Sequence, residues 1–288
     1  MTGKPSIVIR DVQTFAEIQQ VEEVEREVWV LADLDISPTT LLVAIKEAGN
    51  IMIGAFDGKR MAGFALGFWG QENGRHTIHS HMLAVREEYR DHDLGYRLKL
   101  AQRERALSMG AREMTWTFDP LQSRNAHLNF AKLGVVSESY RVDFYGPQTS
   151  SVLHQNGTDR LWVRWLLASR RVEQRAKGQN NRTEMLDTLT HLQPLVAFNA
   201  KAQPERNDLL EAVGRQRIAI EVPSDILSIE KDDVGLARAW REATRWAFLE
   251  SIKAGFFVAE FCALIRGRQG PGAYILQKGP LSEYVPDF

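Results

Sequence analysis

The chain has 288 residues, of which 44% are hydrophobic and 25% charged, and its formal net charge is -1. This composition is ordinary for a globular protein with one large or two smaller domains. The near-zero charge argues against nucleic-acid binding, which needs a basic face, and the single cysteine, Cys262, excludes an internal disulfide or a cysteine-based zinc site. No apolar run reaches the ~20 residues of a membrane span and no signal-peptide pattern is visible, so we expect a cytoplasmic protein.

The first 167 residues predict alternating strands and helices. The expected order is a strand, two helices, three strands, a helix, a strand, a helix and two strands. Predicted strands are 7–10, 51–56, 60–69, 77–85, 114–119, 135–145 and 160–167, and predicted helices are 15–30, 38–49, 94–109 and 124–133. Asp57-Gly58-Lys59, between two apolar runs, is typical of a hairpin turn.

The most informative stretch is 77–100, which predicts a buried strand, a charged loop and the start of a helix. A helix that begins directly after a tight loop points its unpaired amide groups, and the positive end of its dipole, at whatever lies in front of it. Such a helix start is typical of an anion site, most often for phosphate. The sequence therefore predicts an anion site at residues 90–96.

Motifs around this loop resemble those of the GNAT acetyltransferase superfamily. The loop reads Arg90-Asp91-His92-Asp93-Leu94-Gly95. It is similar to the family's R/Q-x-x-G-x-G/A signature: Arg90 and Gly95 match, and Asp93 stands where the family usually has glycine. Residues 126–134 (AHLNFAKLG) are similar to the family's A-x-x-L-Y-x-K-L-G helix end. The resemblance covers about 7–167 and implies a mixed-sheet α/β fold, the GNAT acyl-CoA N-acyltransferase fold, with acetyl-CoA as co-substrate and no metal.

The resemblance also implies which residues hold acetyl-CoA. The backbone of Leu83, Ala84 and Val85 would bind the pantetheine amides. The pyrophosphate would lie on the loop and first helical turn, at Arg90, Asp91, His92, Asp93, Leu94, Gly95 and Tyr96, with Asn125 as a further contact. A cap formed by the side chain of Asp93 would occupy the same amide groups and weaken phosphate binding.

The leaving thiolate must receive a proton, and the sequence lacks the tyrosine that supplies it in many family members. Many family members carry a tyrosine four residues before the closing glycine of the last helix, and here that position is Phe130. Tyr140 and Tyr145, on the next predicted strand, are candidate acids. Each is also typical of a half-buried aromatic residue in a strand.

For the amine side of the reaction the candidates are His81 and Asp119. His81 shares a strand face with His79, and a histidine suits a general base near neutral pH, although a histidine packed in a sheet has the same pattern. Asp119 ends the strand next to the cofactor strand, where an acid could contact an amine, but Asp before Pro is also a turn signal. Four glutamates on the first helix form either a solvated face or part of the amine site: Glu22, Glu23, Glu25 and Glu27.

The remainder of the chain predicts a second, smaller α/β domain at 184–288. Residues 169–183 are polar and basic, and predict a linker or an exposed helix that ends at Gly178. The elements expected after it are a strand at 216–222, a helix at 235–254 and strands at 256–265 and 273–277. Their layout resembles half of a GNAT domain, and residues 1–168 would form the GNAT domain itself.

Two functions follow from the resemblance, and a third possibility is that the pocket takes another acyl-CoA or acylates something other than an amine. The leading hypothesis is an N-acetyltransferase in which a small-molecule amine or a peptide attacks acetyl-CoA directly. The alternative is a non-catalytic GNAT-fold protein that binds CoA or another ligand for sensing or assembly, because Asp93 and Phe130 depart from the family pattern. Neither a nucleic acid nor a membrane is expected as a partner, and a homodimer is allowed for.

Overall fold

The computed structural model describes residues 6–72, 74–90, 92–146, 156–179, 189, 191–263 and 272–288. The chain divides into two compact units. The N-terminal unit is Met1–Trp116 with Ser150–Leu153, and the C-terminal unit is Thr117–Thr149 with His154–Phe288. This division differs from the predicted boundary at 169–183, which stays a prediction from the sequence.

The N-terminal unit is a sheet in the order β1-β2-β3-β4-β5 with helices packed on it. Its elements are β1 (Ile7–Asp11), α1 (Phe15–Trp29), α2 (Thr39–Glu47), β2 (Ile51–Asp57), β3 (Arg60–Glu72), β4 (Arg75–Val85), α3 (Leu94–Ser108) and β5 (Glu113–Phe118), whose last two residues belong to the C-terminal unit. Strands β1 to β4 pair antiparallel and β4 pairs parallel with β5. The element order predicted for this part is confirmed.

Local sequence explains where these elements begin and pack. Thr14 caps α1 in a capping box with Glu17, which settles the choice between Asp11 and Thr14. Gly58, at φ +60°, forms the turn between β2 and β3. One apolar core joins α1 and α2 to the strands through Ile18, Val21, Val24, Leu42, Met52, Phe56, Met61, Phe64, Leu66 and Ala84.

Strand β4 carries a bulge at the position of His81. Met82 pairs with Leu66 and Ser80 pairs with Gly67, so that His81 is the extra residue of β4. A bulge locally bends and twists a strand, and bulges are frequent next to functional sites. The bulge therefore sets the direction in which the end of β4 continues.

The C-terminal unit is built on a sheet in the order β7-β6-β11-β12-β10-β8-β9. Its strands are β6 (Val136–Arg141), β7 (Arg160–Leu166), β8 (Pro194–Phe198), β9 (Pro204–Arg206), β10 (Arg217–Val222), β11 (Phe256–Ala263) and β12 (Gly272–Lys278). Its helices are α4 (Ser123–Ala126), continued as a π-helix over His127–Leu133, α5 (Arg170–Ala176), α6 (Leu209–Val213), α7 (Ile226–Asp232), α8 (Val234–Lys253) and α9 (Leu281–Tyr284).

Helix α8 is the long helix of this unit, and its apolar side supplies two large core residues, Trp240 and Phe248. The Phe248 ring lies 5.4 Å from Tyr140 and 5.1 Å from Tyr274, between β6 and β12. The strands predicted near 216, 256 and 273 and the helix predicted near 235 are all present, and α5 is the helix alternative for the predicted linker. Strands β8 and β9 and helices α6 and α7 were not predicted.

One predicted strand is shorter than expected. The segment 135–145 was predicted as a strand, but β6 ends at Arg141. The chain then turns because Asp143 takes a left-handed conformation, φ +46°, and its amide donates to Asp159 Oδ1 at 3.0 Å. Tyr145 consequently lies in a turn rather than on the strand that carries Tyr140.

Candidate functional site

The N-terminus of α3 is the place where the sequence predicts an anion site. The first bond of the helix runs from Arg97 N to Asp93 O at 3.0 Å. Asp93 is left-handed, φ +52°, and its side chain makes no capping hydrogen bond to the helix. Aspartate is among the few residues that adopt this conformation readily, so Asp93 can supply the backbone shape of the glycine that it replaces. The predicted alternative, in which Asp93 covers the first amides by capping them, is not the conformation seen.

Gly95 leaves space over the first turn of α3. A Cβ built on Gly95 would approach only Leu83 Cδ2, at 3.9 Å, which is ordinary contact. Glycine is therefore required here neither by a left-handed backbone nor by tight packing. It also weakens a helix, so the fold gives no reason for glycine at this position. Bare backbone in this place would allow a phosphate to approach the amide groups closely.

Replacing Gly95 by alanine is expected to separate folding from ligand binding. The change should leave the melting temperature equal or higher, because alanine favours the helix by up to about 1 kcal/mol. It should weaken CoA binding about tenfold, since the methyl group would lie between the amides and the diphosphate. Thermal melts and calorimetric titration with CoA measure both effects. Gly70→Ala is the control, because its Cβ would also meet nothing closer than 3.6 Å; unaltered CoA affinity in Gly95→Ala would contradict the site.

The end of β4 offers backbone groups to a ligand. Leu83, Ala84 and Val85 pair with β3 on one side. On the other side, the pairs with β5 are Ile78–Met114 and His79–Thr115, and among the described residues of this unit β4 has no β5 partner after His79. Residues 80–85 thus present an unpaired strand edge, which suits the amides of a pantetheine chain.

The residues of the loop and the first turn of α3 differ in their contacts and exposure. The Arg90 guanidinium folds back on the strand, with Nε donating to Val85 O at 3.4 Å. His92 is exposed, Leu94 is buried and Tyr96 is half-buried. The predicted contribution of Asp91 lies outside the described residues.

His79 and His81 form a ring cluster with Phe68. The two imidazole centroids are 6.3 Å apart, and each lies less than 6 Å from the Phe68 ring. Burial lowers the pKa of His79 to about 4, and the charges of His81 and Lys99 act in the same direction. Burial of the ring also lowers the pKa of His81, although that residue retains exposed surface at the bulge. Both imidazoles are therefore neutral at neutral pH, and that of His81 can accept a proton.

On the opposite face of β4 lies a buried lysine that was not predicted. Lys99 is 2% exposed, and its Nζ donates to Ser80 Oγ at 2.7 Å and to Gln102 Oε1 at 3.2 Å. The same nitrogen lies 3.6 Å from the centre of the Trp116 ring. Burial lowers the pKa of Lys99 well below its usual value. A signal existed in the sequence, because positions 94, 98, 99, 102 and 106 form one buried stripe of α3 and two of them are polar.

Most glutamates on the acidic face of α1 form hydrogen bonds or ion pairs within the protein. Glu22 is bonded to Thr39, and Glu23 and Glu27 are paired with Arg86. Glu25 is 1% exposed and accepts from Ser37 N at 3.0 Å through Oε2, whereas its buried Oε1 accepts no hydrogen bond from the described residues. Burial raises the pKa of Glu25.

Replacing Glu25 by glutamine is expected to stabilise the protein at neutral pH. In the unfolded chain this carboxyl ionises near pH 4.5, whereas burial in the folded protein raises its pKa. The contribution of the protonated Glu25 to stability is therefore complete below pH 4.5 and is lost as the pH rises through the folded pKa. The neutral amide removes this loss. Urea unfolding at pH 5 and pH 8 measures the difference. Glu104→Gln, at an exposed position of α3, is the control, and a Glu25→Gln protein no more stable than wild type at pH 8 would contradict the assignment.

In the C-terminal unit, Asp119 is held in a buried ion pair. Its two oxygens accept from Arg241 Nη1 and Nη2, each at 2.7 Å, and the Leu121 amide donates to Oδ1 at 2.9 Å. Arg241 is 4% exposed and also donates through Nε to Asn156 O at 2.9 Å. Sequence reasoning missed Arg241, because α8 follows Asp119 by more than 110 residues. The catalytic role of Asp119 stays a prediction.

The two predicted tyrosines have different surroundings. Tyr140 is buried and donates to Asp159 Oδ2 at 2.6 Å, and burial together with that carboxylate raises its pKa well above its usual value. Asp159 is bound in turn by Arg245. Tyr145 is exposed and lies beneath the Arg160 guanidinium, 5.2 Å from the ring centre. Asn125 is exposed on α4.

Phe130 belongs to an aromatic core. Its ring lies 6.2 Å from Phe118 and 5.7 Å from Tyr274 of β12. The Tyr274 hydroxyl donates to Pro120 O at 2.6 Å, and burial raises its pKa well above its usual value. The phenol nearest to Phe130 in this cluster is therefore fully buried and already bonded.

The chain was compared with curated proteins and with solved structures. A search of curated proteins found no match. Similar solved structures include the ribosomal-protein-S18-alanine N-acetyltransferase from Escherichia coli (14% identity, TM-score 0.45, covering 56% of this chain and 94% of that one). Others are aminoglycoside 6'-acetyltransferase type Ii (17%, 0.46, 57% and 99%) and yncA from Salmonella typhimurium with its cofactor acetyl-CoA (16%, 0.45, 56% and 94%).

Two findings bear on metal and membrane. Within the part of the chain that the structure describes, no group of three or more His, Cys, Asp or Glu could hold a metal ion. No described helix is both long enough and apolar enough to cross a bilayer.

A family model, that of the acetyltransferase (GNAT) family, matches residues 14–135. Together with the element order of the mixed sheet, this match confirms the predicted resemblance and identifies residues 14–135 as a GNAT acetyltransferase domain.

Proposed function

We propose that the protein is an acetyl-CoA-dependent N-acetyltransferase in which a bound amine attacks the thioester directly. The observation that carries the proposal is the start of α3, where Asp93 supplies a left-handed residue without capping and Gly95 leaves the first turn bare. This helix start lies within the segment that matches the family. The amides of 94–96 would bind the pyrophosphate, and the unpaired edge of β4 at 83–85 would bind the pantetheine chain.

The chemistry requires that an amine lose its protons while the thioester is attacked. The amine nitrogen forms a bond to the carbonyl carbon, the carbon–sulfur bond breaks, and coenzyme A leaves as a thiolate that takes up a proton. We propose His81 as the proton acceptor, because its imidazole is neutral at neutral pH and partly exposed. Tyr140 and Tyr145 stay candidate donors to the thiolate from the sequence, and the hydroxyl of Tyr140 is bonded to Asp159.

The same proposal covers acceptor and setting. The acceptor is a small-molecule amine or the amino group of a peptide, the protein acts in the cytoplasm, and a homodimer is the assembly to test by light scattering. Asp119 is proposed to hold Arg241 rather than to bind the amine, because both of its oxygens are engaged.

A free-thiol assay with acetyl-CoA tests the proposal. Polyamines, single amino acids and short peptides with free N-termini are the acceptors, and the release of coenzyme A thiol is measured against the rate without acceptor. At least one acceptor is expected to give saturable thiol release. Acetyl-CoA binding without release for any acceptor would favour the non-catalytic alternative, for which the burial of Phe130 at the family's tyrosine position is the supporting observation.

A further inference from the structure

A cavity of about 470 Å³ lies in the C-terminal unit, and neither α3 nor β4 contributes to its lining. Helix α5, Glu260 in the middle of β11 and the chain around α9 form its walls. The residues used below are Arg170, Arg171, Gln174, Arg175, Glu260 and Tyr284. Its volume falls in the range of small-molecule sites.

Arg171 forms the fixed wall of the cavity. It donates from Nη1 to Glu260 Oε1 at 2.6 Å, from Nη2 to Ala259 O at 2.7 Å and from Nε to Gly134 O at 3.0 Å. Its three nitrogens are thus all bonded to protein, and the side chain cannot turn without losing several hydrogen bonds. The neighbouring carboxylate is held in place by this network.

Only one carboxylate oxygen of Glu260 accepts hydrogen bonds from the described residues. Oε1 accepts from Arg171 and, at 3.0 Å, from Arg175 Nη2, and the Tyr284 hydroxyl lies 3.4 Å away. Oε2 is buried and accepts no hydrogen bond from any described residue, although Glu260 as a whole is 8% exposed. A buried carboxylate oxygen without a donor is destabilising. A ligand that carries a donor would remove this cost.

Arg170 supplies the complementary group. Its side chain is exposed at the cavity and forms no ion pair with the described acids, whereas its backbone amide donates to Asp287 Oδ2 at 2.6 Å. A free guanidinium binds carboxylates in bidentate geometry. The cavity therefore combines a group for a carboxylate with a buried oxygen for an ammonium group, and the amide of Gln174 lies on the same wall.

We propose that this cavity binds a free amino acid, with its carboxylate on Arg170 and its ammonium group toward Glu260. A simple anion would satisfy Arg170 but leave Glu260 Oε2 without a donor, and a simple amine would do the reverse. A zwitterion carries a group for each of them. The proposal concerns binding alone and does not depend on acetyl transfer.

Thermal melts of the full chain with millimolar concentrations of each standard amino acid test the proposal, followed by calorimetry of those that raise the melting temperature. At least one amino acid is expected to bind, with acetate, methylammonium and inorganic phosphate binding about tenfold more weakly or not at all. Arg170→Ala should weaken binding at least about tenfold. Lys177→Ala, an exposed residue of the same segment that does not line the cavity, should leave it unchanged.

Three results would overturn the proposal. They are no binding of any amino acid by wild type, full affinity in Arg170→Ala, or phosphate or acetate binding as tightly as the amino acid. Glu260→Gln also tests the ammonium contact, but it disturbs Arg171 and Arg175. Arg170→Ala and Gln174→Ala are exposed changes and keep the test valid if that variant fails to fold.

Discussion

Replacing Asp119 by asparagine is expected to lower the free energy of unfolding by about 3–5 kcal/mol. The change leaves the Arg241 guanidinium buried without its carboxylate, since both nitrogens that point to Asp119 are bonded to it at 2.7 Å. Removing one partner of a buried pair costs far more than the pair itself contributes, because the remaining charge stays desolvated. Urea unfolding of the two proteins at neutral pH measures the loss.

A double-mutant cycle separates this effect from a loss of packing. Arg241→Met should also destabilise, and the Asp119→Asn/Arg241→Met protein should recover part of the loss because no unpaired charge remains. The exposed pair Arg164–Glu138 is the control, and Glu138→Gln should cost at most about 1 kcal/mol. An Asp119→Asn protein with wild-type stability and greatly reduced turnover would instead return Asp119 to the catalytic role that the sequence suggested.

Replacing His81 by alanine is expected to lower kcat/KM by roughly 10²–10⁴-fold. We expect the fold and the affinity for CoA to persist, because His81 is the extra residue of a bulge and keeps exposed surface. The free-thiol assay, run with the best acceptor, measures the loss. His76→Ala, on the exposed beginning of β4, is the control and should retain activity.

The pH profile gives a second readout for His81. The base must be neutral, and burial lowers its pKa from 6.5, so wild-type activity should fall only as the pH drops below that value. In His81→Ala this acidic limb should disappear, and added imidazole should restore part of the rate. Equal rates in wild type and His81→Ala would remove His81 from the mechanism.

The order of elements in the first half could be predicted because the determinants are local. The Thr14 capping box, the Asp57-Gly58 turn and the apolar spacing of α1 are each readable within a few residues. The boundary of β6 could not be predicted in this way. It depends on the buried side chain of Asp159, which binds the Asp143 amide across 16 residues of chain.

The candidate site was likewise predictable only in part. The loop and helix start at 90–96 follow from spacing and resemblance, whereas the left-handed conformation that lets Asp93 stand in for glycine is visible only in the backbone. The partners of Asp119 and Glu260 lie on elements far away in sequence, so neither the ion pair with Arg241 nor the cavity beside α5 has a local signal. Lys99 is the exception, because it and Gln102 are the two polar residues in an otherwise apolar helical stripe.

Calorimetric titration of acetyl-CoA into the full chain is the most direct test of the diphosphate site at the start of α3. We predict saturable binding of one ligand per chain with a micromolar dissociation constant, weakened about tenfold by Gly95→Ala. Absence of heat at millimolar acetyl-CoA from a folded protein would show that the amides at 94–96 hold no diphosphate, and would contradict the proposed enzyme.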